Sequence, residues 1–294
     1  MSRKTMRWAA LMLAVPLAAL ALASSALAAP PTGEFANFAQ CPLSNPAVNQ
    51  CIYGVTSSGE FTVGNTTVPI VHPITFQGGI IANEETGAET FVNAANGVTL
   101  SHTPQPVPGG LLKIMAPKGW PLLLQYLFNE FINKGPTGVN ATTELVGLPS
   151  ISRPNLIEEK GAALTLPLRV HLENEFLGPT CYIGSASHPV TIPFTTGTTK
   201  PPLPNKPISG TRGEVEERDG GELLILKNNS LVENAFAAPG AEGCGSQIFF
   251  GLFTGLITEA VNHQLEIPSA AGKNTAILKG TLENATGEAV RKSE

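Results

Sequence analysis

The most regular pattern in this sequence is an alternation from Leu164 to Leu172, in which every second residue is leucine or valine. A period of two places one face of a β-strand in a core and the opposite face in water. We therefore predict a strand over this stretch, with His171 on its solvent face. Because Pro167 has no N–H to donate to a sheet, we expect an edge strand or a position that faces solvent.

Turn-forming residues are frequent throughout the chain. Its 30 glycines and 25 prolines among 294 residues favour many turns over long helices. Runs rich in Val, Ile, Thr and Phe predict further strands at 61–76, 89–92, 98–100, 189–194 and 276–282, and an Asp-Gly-Gly turn predicts a hairpin over 214–227. The sequence therefore predicts a mainly β fold, an antiparallel β-sandwich-like domain with two packed α-helices.

The first predicted helix covers Pro121–Asn133. Proline suits the first helical position, and the residues that follow are apolar on every side of the helix. A helix that is apolar all round is typical of a core. We therefore expect this helix to be largely buried, with Trp120 and Tyr126 as core residues.

The second predicted helix covers 246–265. Helical spacing places Thr258 and Asn262 on one side and an apolar stripe on the other. The candidate ligand-binding residues of this stripe are Phe249, Leu252, Phe253 and Leu256. Two interpretations stay open, a core face or the wall of a site for a lipid-like ligand. A membrane span is not expected, because Glu259 interrupts the apolar run.

The first 28 residues have the layout of a secretory signal peptide. A basic head with Arg3, Lys4 and Arg7 precedes an apolar run, and Ala26-Leu27-Ala28 forms a small-x-small cleavage signal. The alternative is an uncleaved membrane anchor, although the apolar run is shorter than the roughly 20 residues that a span needs. We predict cleavage after residue 28, with no transmembrane span left in the mature chain, and a secreted, extracellular or cell-envelope location.

The chain is acidic. Its 18 basic and 23 acidic residues give a net charge of −5, and loss of the signal peptide would leave 15 basic residues and a net charge of −8. The mature part shows no basic cluster. Electrostatic binding to nucleic acid or to anionic lipid is therefore not expected.

Four cysteines lie in the mature part: Cys41, Cys51, Cys181 and Cys244. An even number in an exported chain predicts two disulfides. Three pairings are possible, and we favour Cys41–Cys51, across the Asn45-Pro46 turn, together with Cys181–Cys244. The second bond would enclose the proline-rich stretch 198–207, which favours a single domain over 29–294. Short sequence echoes after Cys51 and Cys181 leave open two similar β-rich halves.

Patterns that signal catalysis or metal binding are sparse. Asp219 is the sole aspartate and lies in a hairpin turn, so clustered carboxylate sites for cations are not expected. The five histidines lack paired zinc-ligand spacing. Ser185, Ser187 and His188 share a loop, without a nucleophile motif or an orienting third group. We predict a protein that is not an enzyme, with no catalytic residue, no metal and no cofactor.

Two blocks of the sequence resemble a known group of proteins. They are QCIYGVTSSGEFTVGNTTVPI (50–70) and PTCYIGSASHPVTIPFTTGTTKPPLPNKPISG (179–210), and they are similar to uncharacterised secreted proteins of high-GC Gram-positive bacteria. The resemblance implies bacterial export and disulfide use. It carries no catalytic residues over to this chain.

Three functions stay open at this point. The favoured one is an exported, non-enzymatic envelope or extracellular protein with a structural or interaction role and an unknown partner. The alternative is a carrier of an apolar small molecule or lipid, and a hydrolase is the third. An apolar cavity on the order of several hundred Å³ would favour the carrier, whereas a closed core would exclude it. A hydrolase would need a cleft that gathers Ser, His and Glu side chains.

Overall fold

The computed structural model describes residues 29–83, 85–246 and 254–294. The predicted signal peptide and three candidate ligand-binding residues, Phe249, Leu252 and Phe253, lie outside these ranges. Over the described residues the chain is mainly β, with two antiparallel sheets and few helices. The prediction of a β-sandwich-like fold is confirmed.

Strands and helices follow one another in this order. The strands are β1 (Gln50–Val63), β2 (Thr66–Pro69), β3 (Ile74–Ala82), β4 (Glu89–Asn93), β5 (Gln105–Pro106), β6 (Asn140–Leu145), β7 (Ser150–Ile151), β8 (Leu164–Glu173), β9 (Tyr182–Ile183), β10 (Val190–Phe194), β11 (Glu214–Arg218), β12 (Leu223–Glu233), β13 (Ala241–Glu242) and β14 (Thr275–Thr286). The helices are α1 (Leu122–Lys134), α2 (Arg153–Glu158), α3 (Thr254–Leu265) and α4 (Gly287–Lys292). The predicted strands 89–92 and 189–194 and the hairpin at 214–227 are confirmed by β4, β10 and the β11–β12 pair.

Each sheet is organised around one long strand. Sheet A has the order β11-β12-β14-β1-β3-β4, with β2 also paired to β1. Sheet B has the order β13-β9-β8-β6-β5, and β7 and β10 also pair with β8. The late strand β14 therefore lies in the middle of sheet A, and β8 lies in the middle of sheet B.

The main core lies between the two sheets. Leu164, Leu166 and Leu168 on β8 are buried, as the alternating pattern predicts, and they belong to one cluster with Ile80 of sheet A and Phe194 of β10. Residues of both sheets therefore share this core.

A smaller core covers the other face of sheet A. The buried side chains of Phe38, Val48, Leu223 and Val290 pack there with Cys51. The segment before β1 and helix α4 supply this cover, which joins the two ends of the described chain.

Of the two positions expected for Pro167, the edge strand is wrong, because β8 is paired on both sides. The carbonyl of Pro167 accepts a hydrogen bond from the N–H of Val146 at 3.0 Å, in the loop between β6 and β7. The nitrogen of Pro167, which carries no hydrogen, therefore faces the loop between β6 and β7. No hydrogen bond of the sheet needs a donor at that place.

His171 does not lie free on a solvent face. Its ring stacks on Tyr182, with the ring centroids 4.5 Å apart, and its side chain is 19% exposed. Arg169 also lies over the Tyr182 ring, with its guanidinium carbon 4.2 Å from the ring centroid. Stacking along the outer face of sheet B thus covers a position that alternation alone assigned to water.

Helix α1 also differs from expectation. It begins after Pro121, whose carbonyl accepts from the N–H groups of Leu124 and Gln125 at 2.9 and 3.0 Å. Ile132 is the one buried residue of this helix, and Trp120 and Tyr126 are exposed. The predictions of a largely buried helix and of two core aromatic residues are wrong, because an apolar surface on every side does not require that the chain itself cover it.

Both favoured disulfides are present. Cys41 and Cys51 are bonded, with their Cα atoms 5.5 Å apart, and Cys181 is bonded to Cys244, with a Cα separation of 4.1 Å. The first bond lies in the smaller core and the second in the main one.

Candidate ligand-binding cavity

A cavity of about 600 Å³ that opens to the surface lies between the two sheets and α3. Sheet B contributes side chains of β6, β8, β9 and β10, and sheet A contributes the ends of β1, β2 and β3. The polar lining residues are Thr66, Gln105, Lys113, Thr143 and Gln264. All other lining side chains are apolar or glycine, so the cavity suits an apolar ligand.

The alternating strand β8 builds one wall. Leu168, Val170 and Leu172 all point to the cavity, because residues two apart share one face of a strand. Val170 is only half-buried although it points inward. The empty space in front of it explains this exposure.

Helix α3 forms the opposite wall. Its cavity-lining residues recur at helical spacing and are Leu256, Ile257, Ala260, Val261, Gln264 and Leu265. The other side of the helix is fastened by polar contacts: Asn262 Oδ1 accepts from the N–H of Ala241 at 2.6 Å, and the N–H of Cys244 donates to Thr258 Oγ1 at 3.2 Å. The predicted division of this helix into a polar and an apolar side is confirmed for its described residues.

A lysine closes part of the rim. The Lys113 ammonium donates to the backbone carbonyl of Gln264 at 3.1 Å and to the side-chain oxygen of Asn65. It thereby joins the segment after β5, the β1–β2 turn and the end of α3. Burial lowers the pKa of Lys113, and the charge of Glu266 opposes this effect.

The rim beside Lys113 requires a glycine. Gly110 lines the cavity with a φ of +53°, and a Cβ placed there would lie 2.3 Å from the carbonyl oxygen of Thr137. The backbone of this segment can therefore approach the end of α1 closely. On the far side, the exposed lining residues Phe176 and Leu256 mark where the cavity reaches the surface.

Sequence reasoning located a minor part of this lining. Of the candidate ligand-binding residues, Leu256 lines the cavity, while Phe249, Leu252 and Phe253 lie outside the described residues. The alternation of β8 predicts a core face, and no sequence pattern predicts the contribution of the Gln105–Lys113 segment. The inward face of β8 was visible as a pattern, but a pattern of period two does not distinguish a filled core from a cavity wall.

Ser185, Ser187 and His188 do not line the cavity, although Ile183 and Val190 on either side of this loop do. Ser187 Oγ is 3.1 Å from His188 Nδ1, and the N–H of His188 donates to Ser185 Oγ at 3.2 Å. Ser187 and His188 are exposed, and no carboxylate of the described chain contacts the imidazole. The arrangement closes a surface turn.

The described helices include none with the length and apolar character that a membrane crossing requires. Over the same residues, no group of three or more His, Cys, Asp or Glu side chains could hold a metal ion. No family model, curated protein or solved structure matches the chain.

Proposed function

We propose that this protein binds an apolar or amphipathic small molecule, such as a lipid, in the cavity between its sheets and acts as a carrier for it. The observation that supports this is the cavity itself, whose volume of about 600 Å³ falls within the roughly 300–1,000 Å³ typical of small-molecule sites. The favoured sequence-based role, a structural or interaction protein of the envelope, makes no use of such a space.

The apolar lining sets the class of ligand. Each methylene moved from water into apolar surroundings contributes about 0.8 kcal/mol. A chain of about 12 methylenes would gain on the order of 10 kcal/mol, of which association consumes at least about 4 kcal/mol. At most about 6 kcal/mol remains, which corresponds to a Kd of roughly 40 μM without any polar contact. A polar head group near Lys113 would add affinity and set the orientation of the ligand.

We further propose that the protein is exported and is not an enzyme. The two disulfides fit an oxidising compartment, and the signal-peptide layout of residues 1–28 supports export. The Ser/His turn lacks an orienting carboxylate within the described chain, and it does not open into the cavity. A carrier needs neither a nucleophile nor a metal.

Filling the cavity tests the proposal. In protein purified from an exporting host, Ala260→Trp places an indole on the cavity face of α3. We expect the affinity for a fluorescent fatty-acid analogue to fall at least tenfold, because the side chain occupies ligand space. Fluorescence titration measures this change, and mass spectrometry of an organic extract of the wild-type protein identifies any ligand that copurifies.

The neighbouring position supplies the control. Glu259 is exposed on α3 and does not line the cavity, so Glu259→Trp should leave the affinity within about twofold. Equal losses in both variants, or a wild-type protein that binds no apolar probe, would contradict the proposal.

A further inference from the structure

The exposed apolar residues of the chain are concentrated in one place. Ten of the 17 large apolar side chains that are exposed among the described residues lie between Leu112 and Phe131. Leu122 and Phe131 are 84% and 69% exposed. We call the exposed apolar side chains of 120–131 the α1 surface. A patch of this kind is rare on a monomeric protein and marks an interaction site.

The α1 surface is continuous with the rim of the cavity. The side-chain oxygen of Asn133, on α1, accepts from the N–H of Gly109 at 3.0 Å, and the N–H of Leu111 donates to the carbonyl of Thr137 at 2.8 Å. Gly110 and Leu111 both line the cavity. A partner that binds the α1 surface therefore lies next to the cavity.

The charge around α1 has the opposite sign to that of the whole chain. Residues 109–139 contain Lys113, Lys118 and Lys134 against the single acidic residue Glu130, whereas the full chain has a net charge of −5. The overall acidity that argued against anionic lipid does not describe this segment. A basic rim around an apolar patch complements a surface of anionic head groups.

The aromatic residues and the length of α1 indicate the mode of contact. Trp120 and Tyr126 are side-chain types that favour the boundary between lipid and water. The 13 residues of α1 are too few to cross a bilayer, which takes about 20. An apolar helix of this length suits a position in the plane of the interface.

We propose that the α1 surface docks on a lipid bilayer that contains anionic lipid and brings the cavity rim to the membrane, where ligand is exchanged. The docking site gives the carrier its exchange partner, so the role of the surface rests on the proposed function. Lys134 is ion-paired with Glu130 at 2.5 Å, so Lys113 and Lys118 carry the net positive charge of the segment. The bilayer is favoured over a second copy of the chain because a second copy would bring two segments of the same positive charge together.

Vesicle flotation tests the docking. The exported protein should float with vesicles of phosphatidylcholine and phosphatidylglycerol at a 3:1 ratio, with a blue shift of Trp120 fluorescence. Leu123→Glu combined with Phe131→Glu should reduce flotation at least tenfold. Lys118→Gln should weaken binding to these vesicles and leave binding to pure phosphatidylcholine unchanged.

Leu148→Glu is the matched control. Leu148 is 65% exposed and follows β6 at the end of that strand opposite α1, so this variant should float like the wild type. Equal flotation of the wild type and the α1 double variant would overturn the proposal. So would a wild-type dimer that ignores vesicles and becomes monomeric in the double variant.

Probe binding without vesicles separates the two proposals. The α1 double variant should bind the fatty-acid analogue as the wild type does. If the protein binds vesicles through α1 but takes up no apolar probe, the carrier proposal is rejected and the docking proposal stands. Probe binding without vesicle binding would keep the carrier and reject the docking surface.

Discussion

At the scale of single residues, Glu233 places a carboxyl group in a poorly solvated position. It ends β12 with 7% of its surface exposed, and its Oε1 accepts from the N–H groups of Asn234 and Ala235 at 2.8 and 2.5 Å. Burial raises its pKa above the ordinary value of 4.5, and the two backbone donors oppose the shift. Burial is the stronger influence, so the charged form is disfavoured on folding.

This pKa gives a pH-dependent prediction. A carboxyl group whose pKa is raised in the folded state adds stability below its unfolded pKa, and that stability is lost as pH rises through the folded value. Glu233→Gln removes the charge and keeps an acceptor for the two N–H groups. The variant should therefore have a higher thermal midpoint than the wild type at pH 7 and an equal one at pH 4.

Thermal unfolding followed by circular dichroism at the two pH values measures the difference. A variant that is less stable at pH 7 would show that the two backbone hydrogen bonds to the carboxylate outweigh its burial.

At the scale of elements, the two disulfides perform different tasks. Cys181–Cys244 closes a sequence separation of 63 residues and lies next to the polar anchor of α3. Cys41–Cys51 closes a separation of 10 residues in the smaller core. In the chain-entropy description their removal costs roughly 4 and roughly 3 kcal/mol.

Ligand exchange should distinguish the two bonds. Cys181→Ala with Cys244→Ala should accelerate dissociation of the fatty-acid analogue in stopped-flow fluorescence, because the anchor of the wall α3 becomes looser. Cys41→Ala with Cys51→Ala should lower the free energy of unfolding and leave the dissociation rate unchanged. Equal rates in both double variants would contradict a role for the first bond at the cavity.

The elements also show where sequence reasoning reaches its limit. Alternation predicted β8, and the Asp-Gly-Gly turn predicted the β11–β12 hairpin, because both patterns are local. The surroundings of α1 and β8 depend on distant segments: Leu122 is exposed and Val170 faces empty space, while similar residues elsewhere are packed. The hydrophobicity of a side chain predicts that it is shielded from water. It does not predict whether the chain itself, a ligand or a membrane shields it.

At the scale of the whole molecule, a bound ligand should stabilise the fold. A ligand that binds only the folded state adds about 2.7 kcal/mol at a concentration of about 100 times its Kd. We expect the fatty-acid analogue to raise the thermal midpoint of the wild type and of Glu259→Trp but not that of Ala260→Trp. Differential scanning calorimetry checks this, and a rise in Ala260→Trp would place the ligand outside the cavity.

The order of strands in sheet A has a consequence for biosynthesis. β14 pairs with β1 along Gln50–Thr62 and with β12 along Leu223–Glu233, so the ribosome delivers the middle of the sheet after both neighbours. Until residues 275–286 have emerged, β1 and β12 each lack their longest partner, and pairing over such sequence distances is slow. Sheet A thus stays incomplete until the end of translation, and a chain that is exported, as we propose, would reach a translocation pore before this sheet has closed.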